Sequence, residues 1–239
     1  MTKRLFDFVF SLILLLVASP IIITFLILVW IQDFKNPIYA PYRAGKNLRP
    51  FKMYKIRSMI SGADKTGIDS TSNNDNRITQ VGKIIRRFKI DELSQLYNVL
   101  IGNMSLVGPR PNVMHEAKNY TNLESKVLTV RPGITDFASI VFSDEGKILE
   151  NSNDPNKDYD ALIRPGKGWL GVFYVENRNL LIDIIIIFTT VIAIFSRPTA
   201  LKLVTSTLRL LKAPKQLIDL SKRDTRLAPG IPYGAELEN

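Results

Sequence analysis

From Phe8 to Ile31 the chain runs 24 residues without a charged side chain, and Ser19-Pro20 sits near the middle of that run. At about 1.5 Å per residue, a continuous helix of that length would cross a bilayer core of ~30 Å. Proline removes one helical hydrogen bond and crowds the carbonyl four residues back, so Pro20 kinks or breaks such a helix. Each half, at roughly 18 Å, is too short to span alone but long enough to dip into a bilayer and turn back. Two forms are therefore open: a spanning helix that tolerates its proline, and a re-entrant helix broken at Ser19-Pro20. A secretory signal fits neither the length of the run nor the absence of a small-x-small cleavage site.

The flanks favour the re-entrant form. Lys3 and Arg4 precede the run. Lys35, Arg43, Lys46, Arg49, Lys52, Lys55 and Arg57 follow it, and no acidic residue occurs between Asp33 and Asp64. The positive-inside rule places both flanks on the cytoplasmic side. The Ser19 hydroxyl is available for a backbone group that the proline frees.

Composition narrows the chemistry. The 239 residues include no Cys and a single His, His115. Cysteine nucleophiles, disulfides and Cys/His zinc sites are excluded, and a Ser–His–Asp triad would depend on that one histidine. Lys and Arg number 32 against 22 Asp and Glu, a formal charge of +10. Such a surface suits phosphate-bearing substrates, anionic lipid or nucleic acid. Against nucleic acid, the basic runs lack interleaved aromatics and match no nucleic-acid motif.

Further along, residues 61–76 form a polar loop. A basic run, Arg77, Lys83, Arg86, Arg87 and Lys89, leads into residues 90–101, where Ile90, Leu93, Leu96, Tyr97 and Leu100 share one helical face. Asp91 and Glu92 begin that helix, where negative charge suits the helix dipole. Pro109 and Pro111 fix the backbone on either side of Arg110, either as an ordinary turn or to present a rigid guanidinium fork. Leu180–Phe195 is a second apolar segment. It is interrupted by Asp183 and short for a span, so it reads as buried or interfacial. Residues 200–212 carry Leu201, Val204, Leu208 and Leu211 at helical spacing among basic residues. That pattern fits a helix lying on an anionic membrane or one packed on the domain core. The last dozen residues, rich in Pro and Gly, read as a loose tail.

In chain order, several segments resemble the monotopic phosphoglycosyl transferases, or bacterial sugar transferases. They are Lys3-Arg4-Leu5-Phe6-Asp7, Ser19-Pro20, Tyr54-Lys55-Ile56-Arg57-Ser58-Met59, Arg77-Ile78-Thr79 with Gly82, Asp91-Glu92-Leu93-Ser94-Gln95-Leu96, Met104 to Pro111, and Arg131-Pro132-Gly133-Ile134-Thr135. Three positions depart from the family pattern: Ser94 stands for proline, Ile56 for phenylalanine, and Asp136 for the glycine after Gly-Ile-Thr.

The resemblance implies an α+β, mainly helical protein. Residues 1–34 would form the re-entrant membrane helix and 35–199 a small cytoplasmic catalytic domain; 200–239, which the resemblance does not cover, read from their own pattern as an amphipathic helix with a loose tail. The implied reaction moves a sugar 1-phosphate from a UDP-sugar to polyprenol (undecaprenyl) phosphate at the cytoplasmic face of a bacterial inner membrane, releasing UMP. It is the first membrane step of a glycoconjugate pathway. Asp91 would be the nucleophile, Glu92 the Mg²⁺ ligand, and Pro109, Arg110 and Pro111 the nucleotide contacts. Lys55, Arg57, Arg86 and Arg131 are candidate phosphate ligands. Anionic membrane lipid is the expected partner surface, and a homo-oligomer is left open. The chemistry agrees with the composition, because phosphoryl transfer needs in-line positioning and charge neutralisation, and a carboxylate serves as nucleophile without His or Cys. Two rivals remain. One is a non-enzymatic, membrane-anchored basic binding module. The other is a hydrolase using Asp91 and Glu92 as acid and base, although adjacent helical residues point about 100° apart and do not flank one bond.

Overall fold

The computed structural model describes residues 2–63 and 75–237; residues 64–74 of the polar loop lie outside the described residues. The chain is mainly helical. It opens with α1 (Thr2–Asp33), followed by β1 (Ile38–Tyr39), β2 (Tyr42–Ala44), β3 (Pro50–Lys52) and β4 (Lys55–Ile56). β1 pairs with β4 and β2 with β3, both antiparallel. Then come α2 (Gln80–Arg87), α3 (Ile90–Leu93), α4 (Gln95–Leu100), β5 (Ser105–Val107), α5 (Met114–Lys118), β6 (Gly133–Thr135), α6 (Phe137–Val141), α7 (Glu145–Ile148), α8 (Pro155–Asp158), α9 (Arg164–Asn177), α10 (Leu180–Phe195), α11 (Arg197–Leu210) and α12 (Lys215–Lys222).

α1 continues as one helix through Pro20, so the break expected at Ser19-Pro20 is not present in its secondary structure. Pro20 has no N–H for the Leu16 carbonyl, and the Ser19 hydroxyl donates to that same oxygen at 2.7 Å. The carbonyl freed by the proline is thus satisfied inside the helix, which apolar surroundings demand. Both ends of α1 are docked on the domain. At the start, Lys3 meets Asp183 at 2.5 Å, and Arg4 donates to the Val99 and Leu100 carbonyls at the end of α4 at 2.6 and 2.8 Å. Asp7 is buried and accepts from the Ser105 hydroxyl and the Leu106 N–H. At the far end, Asp33 takes a two-pronged bond from Arg57 at 2.5 and 2.6 Å, and Val29 packs with Ile56, Ile85 and Ile90. Between these anchors Leu16, Val17, Ile21 and Ile23 are exposed. Lys3, Arg4 and Arg57, read in the sequence as flanking charges, are therefore also tertiary anchors.

The expected single helix over 90–101 is two helices joined at Ser94, whose hydroxyl lies within hydrogen-bond distance of the Tyr54 and Asp91 carbonyls. The break rotates the buried face. Leu96 and Val99 enter the core, while Tyr97 turns out against the Tyr54 ring. Buried Asn98 bridges α4 to the strands, donating to the Lys52 carbonyl and accepting from the Tyr54 N–H, which fixes the segment carrying Lys55.

The main core gathers Met104, Phe137, Leu149, Ile163, Leu170 and Tyr174 with Val204, Leu208 and Leu217. The apolar stripe of 200–212 thus faces this core rather than a membrane. Ala200, Leu201, Val204 and Leu208 are all buried against neighbouring elements, the packed alternative that the pattern had left open. An exposed apolar row lies instead on α10. Ile182 and Ile186 point inward, while Leu181, Ile184, Phe188, Val191 and Phe195 form an exposed row on its other side. The Pro/Gly-rich end is not loose either. Tyr233 stacks on Trp169, its carbonyl accepts from the Thr121 hydroxyl, and the Gly230 N–H reaches the Ala161 carbonyl.

β5 and β6 run parallel, with Ser105 opposite Gly133 and Val107 opposite Thr135. The chain leaves β5 through Gly108 and enters β6 at Gly133, and the two glycines touch: a Cβ on Gly133 would lie 2.0 Å from the Gly108 nitrogen. That contact aims the Pro109-Arg110-Pro111 turn. Gly133→Ala is expected to cost on the order of 3 kcal/mol or more, since backbone on both sides must separate. A melting temperature within 2 °C or so of the parent would show that the strands part freely.

Candidate functional site

Lys89, in the left-handed conformation at φ 54°, turns the chain sharply between α2 and α3. The turn delivers Asp91 and Glu92 into a cleft of about 890 Å³ between the strands, α2, α6 and the Arg110 turn. Ten Lys and Arg side chains line this cleft against four carboxylates among the described residues. The two acids point to different partners. Lys55 Nζ is 3.9 Å from Asp91 Oδ2, and Arg110 Nη2 is 2.8 Å from Glu92 Oε1.

Electrostatics separates the pair further. Burial pushes the Asp91 carboxyl above the ordinary range, and Lys55 only partly opposes it. Burial would raise Glu92 as well, but the Arg110 charge, with Lys89 and Lys55, brings it down to about 2. Lys55 is lowered to about 8, by burial first and then by repulsion from Arg110. Arg110 is raised, chiefly by Glu92 beside it. One carboxylate is therefore poorly solvated and weakly paired, the condition of a reactive anion. The other is firmly ionised.

The predicted site residues are distributed unevenly. Asp91, Glu92, Arg110, Pro111, Lys55, Arg57 and Arg86 all line the cleft. Arg57 spends its guanidinium on Asp33, so it serves the α1 anchor. Pro109 faces away into a smaller pocket behind Arg110. Arg131 is not in the cleft; its Nε donates to the Gly102 carbonyl at 2.9 Å, beside Arg4. Ser19 and Pro20 lie in α1, far along the chain from this machinery. The cleft also contains residues that no motif marked: Arg43, Tyr159 and the ion pair of Lys167 with Glu145. Residues 143–168 hold six acids, the densest acidic segment of the chain; of these, Glu145 reaches the cleft, whereas Asp144 binds Arg197 and Arg223 at 2.8 and 3.2 Å.

Residues 1–197 match the sequence profile of the bacterial sugar transferases. The chain belongs to that family. This bacterial sugar transferase is 34% identical over 202 residues to the exopolysaccharide production protein PSS of Rhizobium leguminosarum bv. phaseoli, covering 82% of this chain and 96% of the relative. It is 34% identical over 216 residues to the undecaprenyl-phosphate galactose phosphotransferase of Salmonella typhimurium, covering 83% and 41%. It is 30% identical over 196 residues to the UDP-N-acetylgalactosamine-undecaprenyl-phosphate N-acetylgalactosaminephosphotransferase of Aeromonas hydrophila, covering 79% and 42%. The chain thus spans less than half the length of the latter two relatives. The Asp91-Glu92 pair and the Arg110 turn both fall inside the matched residues.

Proposed function

We propose that this bacterial sugar transferase moves a sugar 1-phosphate from a UDP-sugar to undecaprenyl phosphate through a covalent intermediate on Asp91. The observation that carries the reading is a desolvated carboxylate, Asp91, set beside a differently paired one, Glu92, within a strongly cationic cleft. In the first step an Asp91 oxygen attacks the phosphorus bonded to the sugar. The bond from that phosphorus to the bridging oxygen breaks, UMP leaves, and an aspartyl phosphosugar remains. In the second step a phosphate oxygen of undecaprenyl phosphate attacks the same phosphorus, restoring Asp91 and forming the lipid diphosphosugar. Both steps bring an anion to an anion, and Lys55, Arg86, Lys89 and Arg110 along the wall oppose that repulsion.

The donor set fits Mg²⁺. No group of three or more Asp, Glu, His or Cys exists among the described residues. One or two carboxylates completed by diphosphate oxygens and waters is, however, the ligand set that this hard cation ordinarily takes. Glu92 would hold it, and the ion would supply charge neutralisation on the diphosphate.

The test is UMP release from a UDP-sugar by the purified protein. A stoichiometric burst with donor alone, and many turnovers once undecaprenyl phosphate is added, are expected. Sustained UMP release without the lipid would identify a hydrolase, and no release from any UDP-sugar would leave only a binding protein.

The same reading puts α1 in the membrane as a re-entrant helix with the domain at the cytoplasmic face. α1 is the one helix among the described residues long and apolar enough to cross a membrane. Support for re-entry comes from the docking of both its ends on one domain, and the α10 row supplies further apolar surface for the bilayer. Thr2→Cys and Lys35→Cys, each made in this cysteine-free chain, are expected to resist a membrane-impermeant maleimide in intact cells and to react after permeabilisation. Labelling of either one from outside would replace re-entry with a span.

A further inference from the structure

We infer that the small pocket behind Arg110 receives the 2-acetamido group of the sugar donor, with Asp136 accepting its N–H. This rests on the UDP-sugar reading above and adds the class of sugar. The pocket measures about 60 Å³, room for roughly four water-sized atoms, the non-hydrogen count of an acetamido group. It adjoins the cleft, because Arg110, Ser139, Tyr159 and Lys167 border both. Arg110 borders this pocket and pairs with Glu92, the neighbour of Asp91, so a sugar on the phosphorus that Asp91 attacks is placed toward its mouth.

The lining has the two chemistries that the group needs. Val127, Ala138 and Gly171 offer apolar wall for a methyl. Asp136 offers an acceptor. Its Oδ1 caps α6, taking the Ser139 N–H and hydroxyl at 2.7 Å each. Its Oδ2 takes no hydrogen bond from the described residues, although the side chain is buried. Asp136 borders the pocket, and this oxygen is not sealed from solvent, so it is free to accept from a ligand N–H there. Lys167 stands at the same pocket for the acetamido carbonyl. A sugar with a 2-hydroxyl leaves the apolar wall uncovered and reaches Asp136 less well.

The test is calorimetric binding of UDP, UDP-N-acetylglucosamine, UDP-N-acetylgalactosamine, UDP-glucose and UDP-galactose to full-length protein carrying Asp91→Asn, which prevents turnover. At least one acetamido donor is expected to bind about tenfold or more tighter than its 2-hydroxyl counterpart, the scale set by a small apolar group filling a pocket. Adding Asp136→Ser keeps a hydroxyl cap on α6 but withdraws the second oxygen. The preference should fall to near one while the Kd for UDP is unchanged. Asp136→Asn, which also caps, presents an amide donor where Oδ2 accepted and should do the same. No donor binding, no preference in the parent, a preference that survives both changes, or UDP affinity that falls in step with donor affinity overturns the inference. The outcomes separate from those of the transferase reading. Protein that prefers acetamido donors but never releases UMP keeps this site and loses that reaction. Protein that turns over without preference keeps the reaction and loses this site.

Discussion

Asp91→Asn is expected to release no UMP and to carry no phosphosugar, a loss on the order of 10⁴-fold or more in turnover, because a neutral amide cannot replace the attacking carboxylate. Asn has the shape of Asp, so the melting curve of the variant separates a lost nucleophile from a lost fold. If Asp91 only suited a helix start, the change would cost about 0.3–1 kcal/mol of stability and leave turnover nearly intact. Glu92→Gln should also be severely impaired, since an amide oxygen is a weaker ligand for a hard cation. Its residual rate should rise with added Mg²⁺, whereas that of Asp91→Asn should not. The acid side of the rate profile gives an independent reading. Burial holds the Asp91 pKa above the usual carboxylate range, so activity should fall on acidification earlier than an exposed Asp would allow. The nucleophile must be ionised to attack, which fixes that sign. Peptide mapping after UDP-sugar alone locates the adduct, and mass on any residue other than Asp91 would sink the mechanism.

How much of this was legible in the sequence depends on the range of each interaction. Asp91 and Glu92 are adjacent, and the motif around them is local, so the pair could be read before any fold was known. The length of α1 followed from an uncharged run, and the help that Ser19 gives Pro20 lies within one turn. The pairing of Lys167 with Glu145 could not be found this way. They approach the cleft from α9 and α7, 22 residues apart in sequence, and Glu145 stood out only as one of several acids between 143 and 168. The stripe at 200–212 shows the complementary limit. Periodicity establishes that a helix has an apolar face but is silent on whether lipid or protein covers it, and here Leu201, Val204 and Leu208 cover the domain's own core. Arg131 belongs to a recognisable turn, yet its guanidinium is committed to the Gly102 carbonyl by the way β5 and β6 pack.

Removing Arg110 should weaken two functions together, which makes it the second large effect. Its guanidinium lies in the cleft proposed to receive the diphosphate, and it also holds Glu92 ionised through a 2.8 Å contact. Arg110→Ala is expected to lower kcat/KM by about 10²–10³, the usual scale for losing one well-placed donor to a charged transition state. Arg110→Lys should recover little, because an ammonium lacks the planar fork that serves a carboxylate and a phosphate at once. A lysine variant with parental kinetics would return residues 109–111 to the status of a plain turn. Stability against pH tests the second function without any substrate. The folded pKa of Glu92 is about 2, well below its unfolded value, so the unfolded chain binds more protons between pH 5 and 2. The stabilising contribution of Glu92 is therefore complete above pH 5 or so and is lost as the pH falls toward about 2. Without Arg110 the folded pKa of Glu92 rises and this contribution shrinks. The melting temperatures of parent and Arg110→Ala should differ most near neutrality and converge toward pH 3. A gap that stays constant across that range would mean that Arg110 does not set the ionisation of Glu92, and its loss of activity would then belong to the nucleotide contact alone.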